Sequence, residues 1–454
     1  MKKNYLFGMA LMASLAFFSC TNEVIYVHDG ESSEQVSDEQ IITLQVSNGG
    51  DGLTTRAGRP LYSSEAKQTI ENVKVIVCNG SSVVYTKDFT KWNDSDSQEY
   101  TESGAHGRKT TIKLEGDDRL GKGQQYTVYA IGYHNSSDYK DKEGSNTLNA
   151  LLSGIGVDDT FNENLTLKFT GSNNAEEIFA GSAELSISDK GAGSANVVLN
   201  RQVAGAFVYL KDIPYFDDAA TLELVASSTN NQLVLGQFAN TDFGSNGNNT
   251  VSLNVINGWN SEEGWTIGKA KETVIAKITL SEWFTSIENN SGLIDVANWK
   301  NKYADQSPKP TFQKGSVFAG TFLIPFAKVA NNQTLKLVMK AGETSSYKVL
   351  ASWNINLSVT GDNNYTNLYT WNGSTFGEPS TKEDLNKKSY SIVRNHLYGI
   401  GTRMEDDPGN GTDPDPDPTP DPTPDDEPEP LNNKQELTLR VNDNWEVIHG
   451  MELE

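Results

Sequence analysis

The chain is poor in cysteine, histidine and positive charge, and each scarcity closes off a class of protein. Cys20 ends the first apolar stretch, so once it is modified only Cys78 remains and the mature chain has no intramolecular disulfide. Core packing must hold the fold. Cys78 ends the run Val73-Lys74-Val75-Ile76-Val77, which reads as a buried strand with the thiol acting as a small hydrophobe. With 37 Lys and Arg against 60 Asp and Glu, the net charge of -23 sets nucleic acid aside as a partner, because that binding draws on clustered cations.

The five histidines, at 28, 106, 134, 396 and 449, are scattered and none stands in a metal-binding spacing. Asp94-Ser95-Asp96 and Asp117-Asp118 do not continue into a calcium loop and read as solvated turns. A nucleophile elbow and a phosphate-binding glycine loop are also lacking. The expectation is no catalytic residue, no metal, no cofactor and no enzymatic activity. Long apolar runs are confined to Tyr5 to Phe18, too short to span a bilayer. Lys2 and Lys3 precede that run and Ser19-Cys20 follows it, the order of an export signal whose cysteine receives lipid.

Helical periodicity is scarce, and short alternating runs recur with turn residues between them. They include VKVIVCNG from Val73, SVVYTKDF from Ser82, QYTVYAIGY from Gln125, AELSIS from Ala183, TVIAKITL from Thr273 and TLKLVMKAG from Thr334. This spacing predicts β-sandwiches rather than a parallel α/β sheet. Residues 280–313 are less regular and read as a long loop or a short helix. The resulting division is a signal at 1–20, a removable segment at 21–56, sandwiches at 57–192 and 193–404, a spacer at 405–430 and a final strand segment at 431–454. Nine of the fifteen prolines fall within the spacer, including PDPDPTPDPTPDD from Pro414, so no core is expected there. About 25 residues at roughly 3.1 Å each would reach roughly 75 Å.

Two segments carry the functional expectation. Ile42, Leu44 and Val46 share one face of a strand near the start, and Leu437, Leu439 and Val441 share one face of a strand after the spacer, where Trp445 and Val447 extend it. Ile42-Thr43-Leu44-Gln45-Val46 and Leu437-Thr438-Leu439-Arg440-Val441 follow the same order of apolar and polar types, so both suit one groove. Between the first strand and the domains lies Arg56-Ala57, a bond open to an arginine-specific protease, whereas Arg59 is shielded by Pro60. A cut there removes the anchor and the first strand together. The emptied groove would then take the late strand of another copy, worth on the order of 6–15 kcal/mol before ordering costs. Head-to-tail contacts of this kind do not close and so build filaments.

With these features, the chain resembles the fimbrillins of Bacteroidetes, the protease-matured subunits sometimes called type V pilins. VKVIVCNG from Val73, VYAIG within the Gln125 run, LNRQVAGAFVYLKDIP from Leu199 and IVRNHLYGIG from Ile392 are similar to family strands, in the family's order. The resemblance implies two tandem transthyretin-like β-sandwich domains and transport to the outer membrane as a lipoprotein on Cys20. It also implies cleavage at Arg56 and donor-strand assembly through the late strand with copies of itself and related fimbrial subunits. A shaft position follows, since an anchor would keep its lipid and a tip would need no donor. The competing expectation is a surface lipoprotein that binds glycans or host proteins through aromatic platforms without polymerising. Trp353 and Trp371 lie in or beside apolar runs and read as core, while Trp92, Trp259, Trp265 and Trp299 lie in polar stretches and are open to that role.

Overall fold

The computed structural model describes residues 38–47, 70–102, 105–171, 175–226, 229–235, 254–259, 273–305, 312–326, 335–342, 348–358, 368–371, 373–374, 376, 392–401, 428–431 and 436–442. Among these, the expected β architecture is present. The first part runs through β1 (Gln40–Ser47), β2 (Asn72–Asn79), β3 (Ser82–Phe89), β4 (Gln98–Glu102), β5 (Ala105–Lys113), β6 (Gln125–Tyr133) and β7 (Tyr139–Asp141). A short helix, α1 (Leu148–Ser153), is capped by Thr147, whose hydroxyl accepts from the Ala150 N–H at 3.3 Å. Then follow β8 (Thr166–Phe169), β9 (Phe179–Ser186) and β10 (Gly193–Arg201).

The second part holds β11 (Ala204–Lys211), β12 (Ala219–Ala226), β13 (Gln232–Val234), β14 (Asn254–Ile256), β15 (Gly258–Trp259) and β16 (Thr273–Thr279). It continues with the small hairpin β17 (Asn289–Asn290) and β18 (Leu293–Ile294), then β19 (Val317–Leu323), β20 (Leu335–Ala341) and β21 (Lys348–Ser358). Last come β22 (Leu368–Thr370), β23 (Leu397–Ile400), β24 (Glu429–Pro430) and β25 (Glu436–Asn442).

In the first part the strand order is β3-β2-β6-β9-β10-β1-β5-β4. β10 joins two layers, because Gly193 to Leu199 pair with β1 whereas Asn200 and Arg201 pair with β9. The two layers enclose Ile42, Leu44, Val46, Val73, Val75, Val77, Val128, Leu185, Val197 and Leu199, all buried. β2 is apolar almost throughout because both its faces are covered: Val75 and Val77 face this core, and Ile76 and Cys78 face a second one. Where β10 crosses layers it runs close to β9. A Cβ on Gly181 would lie 2.0 Å from the Val198 carbonyl oxygen, so glycine is required there.

In the second part the main sheet runs β16-β12-β20-β21-β25-β23-β11-β19, and β16 returns against β19 so that the sheet folds over on itself. Its core is aromatic, with Trp283 edge-on to Phe312 at 5.2 Å and Phe312 against Phe318 at 5.4 Å. The irregular stretch 280–313 forms 3₁₀ turns at Leu280–Glu282 and Val296–Asn298 and the β17–β18 hairpin, and delivers Trp283 to that core.

Two expectations shift. β10 belongs to the first sandwich, so the change of body falls between Arg201 and Ala204 rather than at residue 192. The continuous strand-like segment from Ala195 to Leu210 hides this break, which Gln202 marks. The end of the spacer also docks: Glu429 and Pro430 pair with Leu210 and Lys211 of β11, and Leu431 is buried behind them.

Candidate functional site

β1 lies inside its sheet, parallel to β10 on one edge and antiparallel to β5 on the other. Ile42 stands between Ala195 and Ile112, Leu44 between Val197 and Thr110, and Val46 between Leu199 and Arg108. All three apolar side chains are fully buried. At roughly 1.5–3 kcal/mol each, they hold the strand by about 5–9 kcal/mol of apolar burial. The alternation fixes which face turns inward, since a slip by one residue would expose all three.

The end of β1 is tied by polar contacts. The buried Gln40 amide donates to the carbonyls of Leu120 and Gly191, each at 3.1 Å, and its oxygen accepts from the Leu120 N–H at 2.8 Å. Glu39 pairs with Lys113 at 3.4 Å and Asp38 with Arg119 at 3.2 Å, exposed contacts that add little. Beside Val46, the Arg108 guanidinium is buried and donates to the carbonyls of Trp92, Asp94 and Ser97, to the Ser97 hydroxyl and to Glu99. Arg56 and Ala57 lie outside the described residues, as does Cys20. The covalent link from β1 to Ile70 nevertheless passes through residues 48–69 and therefore through that bond.

The late strand, expected to fill the groove of another copy, is seated in the second body of the same chain. β25 runs parallel to β21, with Leu437 opposite Ile355 and Leu439 opposite Leu357, and antiparallel to β23, with Val441 opposite Tyr398. Leu437 is buried. Each of the two candidate strands thus has one parallel and one antiparallel neighbour. Sequence alternation revealed the strand but not the gap between β21 and β23, which is made by residues far away in the chain. Trp445 and Val447 lie outside the described residues.

The two family-like runs at Leu199 and Ile392 meet between the bodies. Arg201 pairs with Glu177 at 2.6 Å while its guanidinium lies over Phe179 of the first body and Phe322 of the second, at 4.9 and 5.9 Å. The Gln202 oxygen accepts from Arg394 at 2.8 Å and from Asn257 at 3.3 Å. Asn395 takes the left-handed conformation, φ 56°, which asparagine tolerates, and its N–H donates to Val203. A small sheet, β15-β13-β8-β7, draws two strands from each body and crosses the same junction. Sequence reasoning had these runs as strands and missed the polar contact between them.

The remaining candidates fall in place. Trp92 is fully buried beside Phe89 and offers no surface platform, and Trp353 and Trp371 are core as expected. Trp259 and Trp299 are half-buried, and the Trp299 ring N–H donates to Ser316. Trp265 lies outside the described residues. The Asp96 carboxylate accepts from the N–H groups of Thr90 and Lys91, closing a turn. Cys78 is buried, and burial pushes its thiol up to about 11.

No family model matches the chain, and no curated protein does. Solved structures do match. A fimbrial assembly protein from Parabacteroides distasonis is 13% identical, with 81% of this chain and 92% of that one covered and a TM-score of 0.34. The tip fimbrial protein Mfa3 from Porphyromonas gingivalis, with C-terminal truncation, is 12% identical over 79% and 94% of the two chains, TM-score 0.33. The fimbrial anchor protein Mfa2 from the same organism is 12% identical over 68% and 80%, TM-score 0.29.

Proposed function

We propose that this chain is a shaft subunit of a cell-surface fimbria, exported as an outer-membrane lipoprotein on Cys20, matured by cleavage after Arg56 and polymerised by strand donation. One observation carries the reading: β1 fills a mid-sheet groove with three fully buried side chains, yet its link to Ile70 contains the arginyl bond. Cleavage turns an intramolecular strand into a separable one. Its loss bares the facing edges of β5 and β10 and an apolar slot, and β25 carries the matching alternation. Donation takes β25 from its own seat beside β21 and β23, so growth exchanges one paired seat for another, driven by filling the emptied groove.

Substituting Arg56→Ala tests this. Wild-type precursor treated with an arginine-specific protease should begin at Ala57 by intact mass and form ladders of multimers, while the variant stays a folded monomer. Ladders grown from variant chains that still carry residues 21–56 would sink the proposal.

A further inference from the structure

The groove that β1 fills is apolar along most of its length, and such a slot accepts an alternating strand in several registers two residues apart. One polar side chain removes that freedom. Gln40 is 1% exposed and shares the inward parity of Ile42, Leu44 and Val46. Its amide satisfies three backbone groups on two loops, the N–H and C=O of Leu120 and the C=O of Gly191. When β1 leaves, those groups lose this partner at the end of an open groove, a loss of the order that moves an equilibrium about ten-fold.

Superimposing the two strands on their shared apolar positions places Leu437 on Ile42, Leu439 on Leu44 and Val441 on Val46. The residue that then falls on Gln40 is Gln435. Glu436 falls on Ile41, whose partner across β5 is Lys113, so a carboxylate returns beside the lysine that loses Glu39 with β1. Slipped by two residues one way, the strand sets Leu437 against the three polar backbone groups. Slipped the other way, it sets the shorter Asn433 there and forces Gln435 into the apolar site of Ile42.

We propose that Gln435 of one copy sets the register of assembly, its carboxamide taking the place of Gln40 against Leu120 and Gly191 of the next copy. The proposal rests on the strand-donation reading and adds the side chain that selects one register from the alternatives. Gln435 here determines specificity through hydrogen bonds, and the apolar residues supply the burial.

The test uses the full chain, processed by an arginine-specific protease, with Thr438→Cys in the donor. The acceptor carries Thr111→Cys, which lies across from Thr43, or Lys109→Cys or Lys113→Cys, each two residues off. Cys78 is buried and does not compete. With Gln435 present, the Thr111→Cys cross-link between subunits should exceed either alternative by about ten-fold. Gln435→Ala should slow chain growth about ten-fold and level the three cross-links, while its uncleaved precursor, with Gln40 still in place, melts as wild type does. If Gln435→Ala grows at the wild-type rate with an unchanged cross-link pattern, the register proposal is overturned and strand donation stands. If processed chains that keep Gln435 neither grow nor, in the cysteine variants, cross-link at any of the three positions, strand donation falls and the register proposal with it.

Discussion

Cys78 shows how burial decides a side chain's chemistry. Its thiol sits in β2 between Val83 of β3 and Thr127 of β6, and desolvation disfavours the thiolate. The pKa is raised from 9.0 to about 11, so the folded chain holds a proton that the unfolded chain releases between those values. The contribution to stability is complete below pH 9.0 and is lost as pH rises toward 11. Tyr133, pushed up to about 12 chiefly by burial, acts in the same direction at higher pH. Iodoacetamide should leave Cys78 unmodified at neutral pH, and denaturant midpoints should fall across the alkaline window. Rapid alkylation of the native protein at neutral pH would contradict the buried placement. The lone thiol and its apolar run were legible in the sequence. The burial of Trp92 was not, because beside nearby Phe89 it depends on residues farther away in the chain: its N–H donates to Glu71 and Arg108 donates to its carbonyl.

Among the elements, β1 and β25 differ in what holds them although their patterns agree. β1 adds the Gln40 contacts to three buried apolar residues, and its groove lies between β5 and β10, strands that do not depend on β25. Leu44→Ala should therefore leave a cavity in the first body alone and cost about 2–5 kcal/mol there. Its test is hydrogen exchange of the precursor: amides of β5 and β10 should lose protection while those of β21 and β23 keep theirs. Equal loss in both bodies would mean that the small β15-β13-β8-β7 sheet couples the two seats fully. Alternation alone makes both strands readable in the sequence. It could not tell that β25 has a seat at home, because a gap between β21 and β23 is a property of pairing between residues far apart in the chain.

For the whole molecule, the question is whether the two bodies behave as one. The junction combines the β8–β13 pairing, the Arg201–Glu177 pair and the contact of Gln202 with Arg394, residues 192 positions apart. A buried hydrogen bond to a charged group costs about 1.5–3 kcal/mol to lose. Arg394→Ala removes the charge from one side and leaves the Gln202 oxygen with Asn257. Calorimetry should give one transition for the wild type and resolve two for the variant, with the upper transition little changed. A single, unshifted transition in the variant would mean that the small sheet suffices to couple the bodies. Under the proposed assembly, pull applied at the groove of the first body would pass through this junction to the second body, from which the donated strand extends.

The linear order of residues by itself determined the β class, the two strands of matching alternation, the arginyl bond between the first of them and the domains, and the lone thiol. These follow from side-chain period and local chemistry, which need no partner. Only the tertiary structure decided that β10 closes the first body, that Leu431 and Leu437 are buried in the second, and that Gln40 and Arg394 find their acceptors across the fold. Hydrogen bonds spanning 80, 151 and 192 positions are set by which strands lie side by side, and pairing of that range leaves no periodic trace in the chain.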